Sequence, residues 1–208
     1  MKFFFFIGSF CGSLSTCKAH ELGSIAIKEA IKQANIKEND VDEVIIGQAI
    51  LAGQGQNPAR QAAIAAGIPY ETPASIVNML CGSGLKAVAF AYQAICSGDS
   101  DIIVAAGQEA MSQAPHLASL RNGIKMGNTE LIDSMLNDGL IDSFHKIHMG
   151  ETGKNDLHEF IFFVILITNL VDLFCLKLKT LRNSILLIEK NKMNLQLNLK
   201  RKQIMLKN

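Results

Sequence analysis

Apolar and polar positions alternate along the first half of the chain with two periods. Between residues 19 and 34, Leu22, Ala26, Ile27, Ala30, Ile31 and Ala34 recur along one helical face while Lys28 and Lys32 point elsewhere, predicting an amphipathic helix packed on a sheet. Val41 to Ile46 is a short apolar run ended by Gly47 and predicts a strand. Asn57-Pro58 then offers an N-cap with proline at the first helical position, and Gly67 closes that helix. A second strand-helix unit follows: Ser75 to Val77 is extended, Gly82 to Cys96 is helical with Ala87, Val88, Ala91 and Ile95 on one face, and Gly98 stops it. Asp101 to Ala106 predicts another buried strand. The alternation points to an α/β domain with a largely buried sheet. From Gln108 to Gly150 the periodicity fades around Pro115, Asn122-Gly123 and Asp138-Gly139, so an excursion or small subdomain is expected there.

Composition divides the chain near Lys154. The net charge of +1 hides an asymmetry: residues 1–153 hold 10 Lys+Arg against 15 Asp+Glu, and residues 154–208 hold 10 against 4. All 16 Gly and 4 Pro fall at or before Gly153, leaving a tail of mostly Leu, Ile, Asn and Lys that predicts no stable fold and no function. Residues 160–176 are the best membrane candidate, but Thr168, Asn169 and Asp172 interrupt them and they fall short of the ~20 apolar residues a spanning helix needs. The apolar run Phe3 to Ile7 breaks at Gly8-Ser9 without a signal-peptide cleavage pattern. Five cysteines form no CxxC pair and no Cys/His ligand spacing, so neither a zinc site nor a disulfide framework is indicated.

The chemistry concentrates in Val77-Asn78-Met79-Leu80-Cys81-Gly82-Ser83-Gly84, where a cysteine stands between an apolar strand and a helix. The unpaired amides and positive end of a helix N-terminus stabilise a thiolate, and the same amides can hold an oxyanion. Gly82 and Gly84 would permit a sharp turn and leave room for a bulky thioester. On spacing alone the favoured reading remains a small buried hydrophobe beside a glycine-rich helix start, because free cysteine is so often simply buried. Other candidates take structural roles. Gly53-Gln54-Gly55 lacks the lysine of a phosphate loop, and Arg60 has no second basic residue to make a clamp, so an ion pair on its helix is expected instead. His20, His116 and His145 are expected at surface or capping positions, and Cys96 is expected in packing.

Residues 7 to about 151 resemble the N-terminal part of a thiolase of the acetyl-CoA acetyltransferase type. The resemblance runs through Gly8-Ser9-Phe10, Gly53-Gln54-Gly55-Gln56-Asn57-Pro58-Ala59-Arg60-Gln61, the Cys81 segment, Gly107-Gln108-Glu109 with Met111-Ser112-Gln113-Ala114-Pro115, and His148-Met149-Gly150. It implies that Cys81 takes the acyl group from acetyl-CoA, with its own amide in an oxyanion hole. His148 and Met149 correspond to a pair that lies against the pantetheine arm and thioester. No metal or redox cofactor is implied, the coenzyme A thioester being the substrate.

The fold this implies is α/β, a thiolase-like N-terminal half with a mixed sheet and packed helices. Residues 1–112 would form the N-terminal domain, its first strand incomplete, residues 113–153 the start of the loop subdomain, and residues 154–208 an unrelated tail. The family's second cysteine, His-Pro motif and oxyanion Asn do not occur in this sequence, and Cys175 and His158 stand in no matching context. The chain is therefore expected to be truncated and inactive alone. Its expected partners are acetyl-CoA, coenzyme A and, as in the family, other subunits of a dimer or tetramer, with no nucleic acid or membrane. The competing reading is a non-catalytic module that associates with full-length thiolase subunits; a ketoacyl synthase shares the nucleophile but fits the motifs less closely. The cytoplasm is the expected location, with the mitochondrion as alternative.

Overall fold

A computed structural model describes residues 8–152. The tail 154–208, the membrane candidate 160–176, the remnant of a first strand in residues 1–7, Cys175 and His158 lie outside the described residues.

Helix α1 spans Ala19–Ala34. Glu21 accepts from the Lys18 amide at its start, and Asn35 ends it in the left-handed conformation. Its buried stripe is Ala19, Gly23, Ile27 and Ile31, every fourth residue; Ala26, expected on that face, is exposed. Strand β1 (Glu43–Gly47) leads to α2 (Pro58–Ala66), β2 (Ala74–Val77), α3 (Ser83–Ser97) and β3 (Ile103–Gly107). The capping signals act as the sequence predicts: the Asn57 side chain accepts from the Arg60 amide at 3.1 Å, and Gly67 and Gly98 close α2 and α3 with positive φ.

The three strands run parallel in the order β2-β1-β3. The described part of this sheet holds no antiparallel strand, so the mixed character expected for it is not found among the described residues. Because side chains alternate along a strand, β1 sends Val44 and Ile46 to one face and Ile45 to the other. The first face packs with Ile27 and Ile31 of α1 and with Ala59, Ala62, Ala63 and Ala66 of α2. The opposite face packs Ile45, Ile103 and Ala105 against Ala87 and Ala91 of α3. Cover on both faces explains why β1 and β3 read as nearly continuous apolar runs. Alanines dominate both helix faces that meet the sheet, which lets these helices approach closely.

After β3 the chain makes the expected excursion. It contains a two-residue antiparallel pair, β4 (His116–Leu117) with β5 (Ile132–Asp133), and ends in the short helix α4 (Met149–Thr152). The excursion rests on the loop that follows β1: Gly139 lies against Ile50, where an added Cβ would come within 3.4 Å of the side chain, and Pro115 lies against Gly53.

Candidate active site

The carboxyl ends of β1 and β3 and the amino end of α3 meet backbone to backbone. A Cβ on Gly47, the last residue of β1, would fall 2.3 Å from the Ser83 carbonyl carbon, so only glycine admits the helix there. Gly107 at the end of β3 lies beside Gly84, where an added Cβ would make ordinary contact, 3.6 Å from the Gly84 Cα. These contacts seat the first turn of α3 directly over the strand ends, and Cys81 stands just before that turn.

Asn78 and Ser83 shape the bend that carries Cys81. The Asn78 side chain donates to the Ala49 carbonyl at 2.9 Å and accepts from the Leu80 amide at 3.0 Å. Ser83, almost fully buried, accepts from the Met79 amide at 2.9 Å and donates to the Leu80 carbonyl at 2.5 Å. The chain turns at Leu80, whose φ of 49° places it in the left-handed region, and not at a glycine. Gly82, expected to permit the sharp turn, has an ordinary φ of −84°; what its missing side chain leaves free is the space beside Met79, whose methyl carbon a Cβ would approach to 2.5 Å.

Cys81 is exposed, which removes the reading of a buried packing cysteine. The Gly82 and Ser83 amides are occupied by the Met79 and Leu80 carbonyls at 3.0 Å each. The amides of Cys81, Gly84 and Leu85 have no backbone acceptor among the described residues.

Glu109, just past β3, accepts from the Ala49 amide at 2.8 Å and from the Ile50 amide at 3.3 and 3.4 Å through its two oxygens. Burial pushes its carboxyl above the usual glutamate range, against the pull of the backbone donors Ala49, Ile50 and Ala110. The buried Gln108 and Gln48 side chains bond each other at 2.8 Å, and Gln48 reaches on to the Ile50 carbonyl at 3.0 Å. Sequence reasoning assigned none of these four residues a role, although Asn78, Gln108 and Glu109 sit inside the motifs that carry the resemblance.

His148 and Met149 are exposed at the end of the excursion. The Gly150 amide donates to His148 Nδ1 at 3.0 Å, and Asp142 and Ile147 close the loop before it at 2.9 Å. The loop after β1 therefore supports both parts of the candidate site: Asn78 anchors the bend to Ala49, and the excursion rests on Ile50 and Gly53.

Several lesser expectations change. Among the described residues Arg60 forms no ion pair; it donates to the Thr72 carbonyl at 2.6 Å and to the Tyr70 carbonyl while stacking over Tyr70. Cys96 is exposed on α3 next to Tyr92, not packed. His20 is half-buried, with Nδ1 buried and without a partner among the described residues. His145 does organise a turn, its amide and ring both meeting Asp142, and His116 lies 4.0 Å from Asp133 across β4 and β5. Among the described residues no cluster could hold a metal ion, and no helix is long and apolar enough to cross a membrane.

Residues 5–162 match the family described as thiolase, N-terminal domain, and the chain belongs to the thiolase family. The match continues past Gly153, where the motif resemblance ends. Its similar relatives include the cytosolic acetyl-CoA acetyltransferase of Rattus norvegicus, 56% identical over 149 residues that make up 72% of this chain and 38% of the relative. The cytosolic acetyl-CoA acetyltransferase of Mus musculus is 55% identical and the acetyl-CoA acetyltransferase of Rhizobium meliloti (strain 1021) 54% identical, with the same coverage. The chain thus spans 38% of the length of the curated relatives it matches.

Proposed function

We propose that the chain carries the acyl-accepting half of an acetyl-CoA acetyltransferase, with Cys81 as the nucleophile. The Cys81 sulfur attacks the thioester carbonyl carbon of acetyl-CoA, and the carbonyl oxygen becomes a tetrahedral oxyanion. The bond from that carbon to the coenzyme A sulfur then breaks, releasing coenzyme A thiolate and leaving the acetyl group on Cys81 as a thioester. One thioester replaces another, so the exchange is redox neutral and needs no redox cofactor or metal. The observation that carries this reading is the exposed Cys81 at a strand-to-helix bend, with its own amide unclaimed among the described residues. His148 and Met149 would lie along the pantetheine arm.

In the second half-reaction the enolate of another acetyl-CoA attacks acetyl-Cys81 to form acetoacetyl-CoA; in the reverse direction coenzyme A cleaves that product. The family draws the base for this step from its C-terminal half, so this chain alone is expected to stop at acetyl-Cys81. The relatives named cytosolic support a cytoplasmic location, with the mitochondrion as the alternative.

Labelled acetyl-CoA tests the assignment. Label should appear on the Cys81 peptide of the full chain and vanish in Cys81→Ala; undiminished label in that variant overturns it.

A second reading rests on the apolar side chains exposed around α3, namely Met79, Leu85, Phe90 and Tyr92. There the chain is a binding module that joins full-length thiolase subunits without turning over substrate. Co-purification with a full-length thiolase, together with an unlabelled Cys81, would favour it.

A further inference from the structure

We propose that Glu109 is a positioning residue for Cys81, acting through the Ala49-Ile50 peptide and the Asn78 side chain. This rests on the reading of Cys81 as the acyl acceptor. Glu109 is separated from Ala49 by 60 residues and from Cys81 by a whole strand and helix, yet three successive contacts link it to the bend.

The Ala49-Ile50 peptide is gripped at both ends. Its N–H, on Ile50, donates to the Glu109 carboxylate at 3.3 and 3.4 Å, and its C=O, on Ala49, accepts from Asn78 Nδ2 at 2.9 Å. A carboxylate at the N–H end and a donor at the C=O end polarise a peptide in the same sense, so each bond strengthens the other. Asn78 then holds the Leu80 amide at 3.0 Å, one residue before Cys81. Leu80 needs this support because an L-residue at φ 49° relaxes toward negative φ when released, and relaxation there would carry Cys81 away from the strand ends.

The acceptor must be a carboxylate. The Ala49 and Ile50 amides both reach one oxygen, at 2.8 and 3.3 Å, and the other oxygen also lies 3.4 Å from the Ile50 amide, so a glutamine that kept the first would set its NH₂ against that amide. Among the described residues no Lys or Arg pairs with Glu109, so backbone N–H groups alone balance its charge. A half-buried charge held only by the amides of one loop makes that loop's geometry depend on it.

The test uses the full chain and two readouts, one independent of acyl transfer. In Glu109→Gln, hydrogen exchange at the Leu80 amide, which does not touch Glu109, should quicken about ten-fold while Ala63 in the middle of α2 stays unchanged. The maximal rate of Cys81 acetylation by acetyl-CoA should fall about ten-fold with the half-saturating concentration unaltered. Asn78→Ala should behave alike, and the double variant should be no slower than the slower single, as for residues in one relay. Unchanged Leu80 exchange in Glu109→Gln, or single effects that multiply in the double, overturns the proposal. If wild type takes no acetyl group, the reading of Cys81 fails while Leu80 exchange still decides the relay. If Glu109→Gln does not fold, wild-type exchange decides: Ile50 and Leu80 amides should open together, and separate opening rates overturn the relay.

Discussion

The bend that carries Cys81 and the final loop that leads to His148 and Met149 are held by different kinds of bond. At the bend, Asn78 reaches 29 residues back to Ala49 and Glu109 reaches 59 residues back to Ile50 on the same peptide, while Gly47 seats the end of β1 against α3. In the final loop Asp142 accepts from Phe144 and His145, Ile147 accepts from Asp142 and His148 accepts from Gly150, all near neighbours. Long-range bonds fix a group relative to the whole sheet; local bonds fix it only relative to its own loop. An attacking sulfur needs the first kind, since misplacement of about 1 Å costs a reaction roughly a hundred-fold. Residues that lie along a long, flexible ligand arm function with the second.

The sharpest way to break the bend is to fill the contact beneath it. Gly47→Ala should destabilise the chain by about 3 kcal/mol in denaturant unfolding, because its Cβ would collide with backbone atoms of Ser83 and Gly84 that cannot move without shifting α3. Ser83→Ala removes an acceptor from the Met79 amide and a donor to the Leu80 carbonyl, and should cost about 1 to 2 kcal/mol together with most Cys81 acetylation. Asn57→Ala supplies the control: loss of the α2 cap should cost about 1 kcal/mol and leave acetylation at saturating acetyl-CoA unaltered. His148→Ala should change stability by less than about 0.5 kcal/mol and raise the acetyl-CoA concentration needed for half-maximal labelling.

Two carboxylates sharpen the same comparison through pH. Glu109 has its folded pKa raised by burial, so ionising it to the carboxylate that holds Ala49 and Ile50 costs the fold stability, which is full below the ordinary glutamate value and is lost as pH rises through the folded one. Asp142 has its folded pKa lowered, chiefly by the His145 amide, so its contribution is present above the ordinary aspartate value and is lost as pH falls through the folded one. The stability gap between wild type and Glu109→Gln should therefore narrow with rising pH, and that between wild type and Asp142→Asn should widen; denaturant titrations across the acidic range read both. Parallel slopes in the two pairs would remove the contrast.

Local signals carried the helices. Asn57-Pro58, Gly67 and Gly98 act within a turn of their own positions, so the boundaries of α2 and α3 were legible from sequence. The place of Cys81 at a strand-to-helix bend was legible too, because a cysteine before a glycine-rich helix start is a local pattern. Its supports were not. Nothing in periodicity announces that Asn78 will find Ala49 or that Glu109 will hold the Ala49 and Ile50 amides; the first bond exists only once β1 and β2 lie side by side, the second only once β1 and β3 do. Leu80 carries no signal for a left-handed turn, and the strain falls on it because Asn78 and Ser83 grip it from both sides. Cys96 misled for a related reason: an apolar position on α3 predicts packing only when something covers that side of the helix, and among the described residues the sheet covers only the Ala87 and Ala91 side.

The central claim is that Cys81 accepts an acetyl group. Peptide mass spectrometry of the full chain after brief exposure to labelled acetyl-CoA tests it most directly. The account predicts one acetyl group on Cys81, removed by later addition of free coenzyme A, with exposed Cys11 and Cys96 unlabelled in the same sample. Labelling spread evenly over Cys11, Cys81 and Cys96, or none at Cys81, would contradict it.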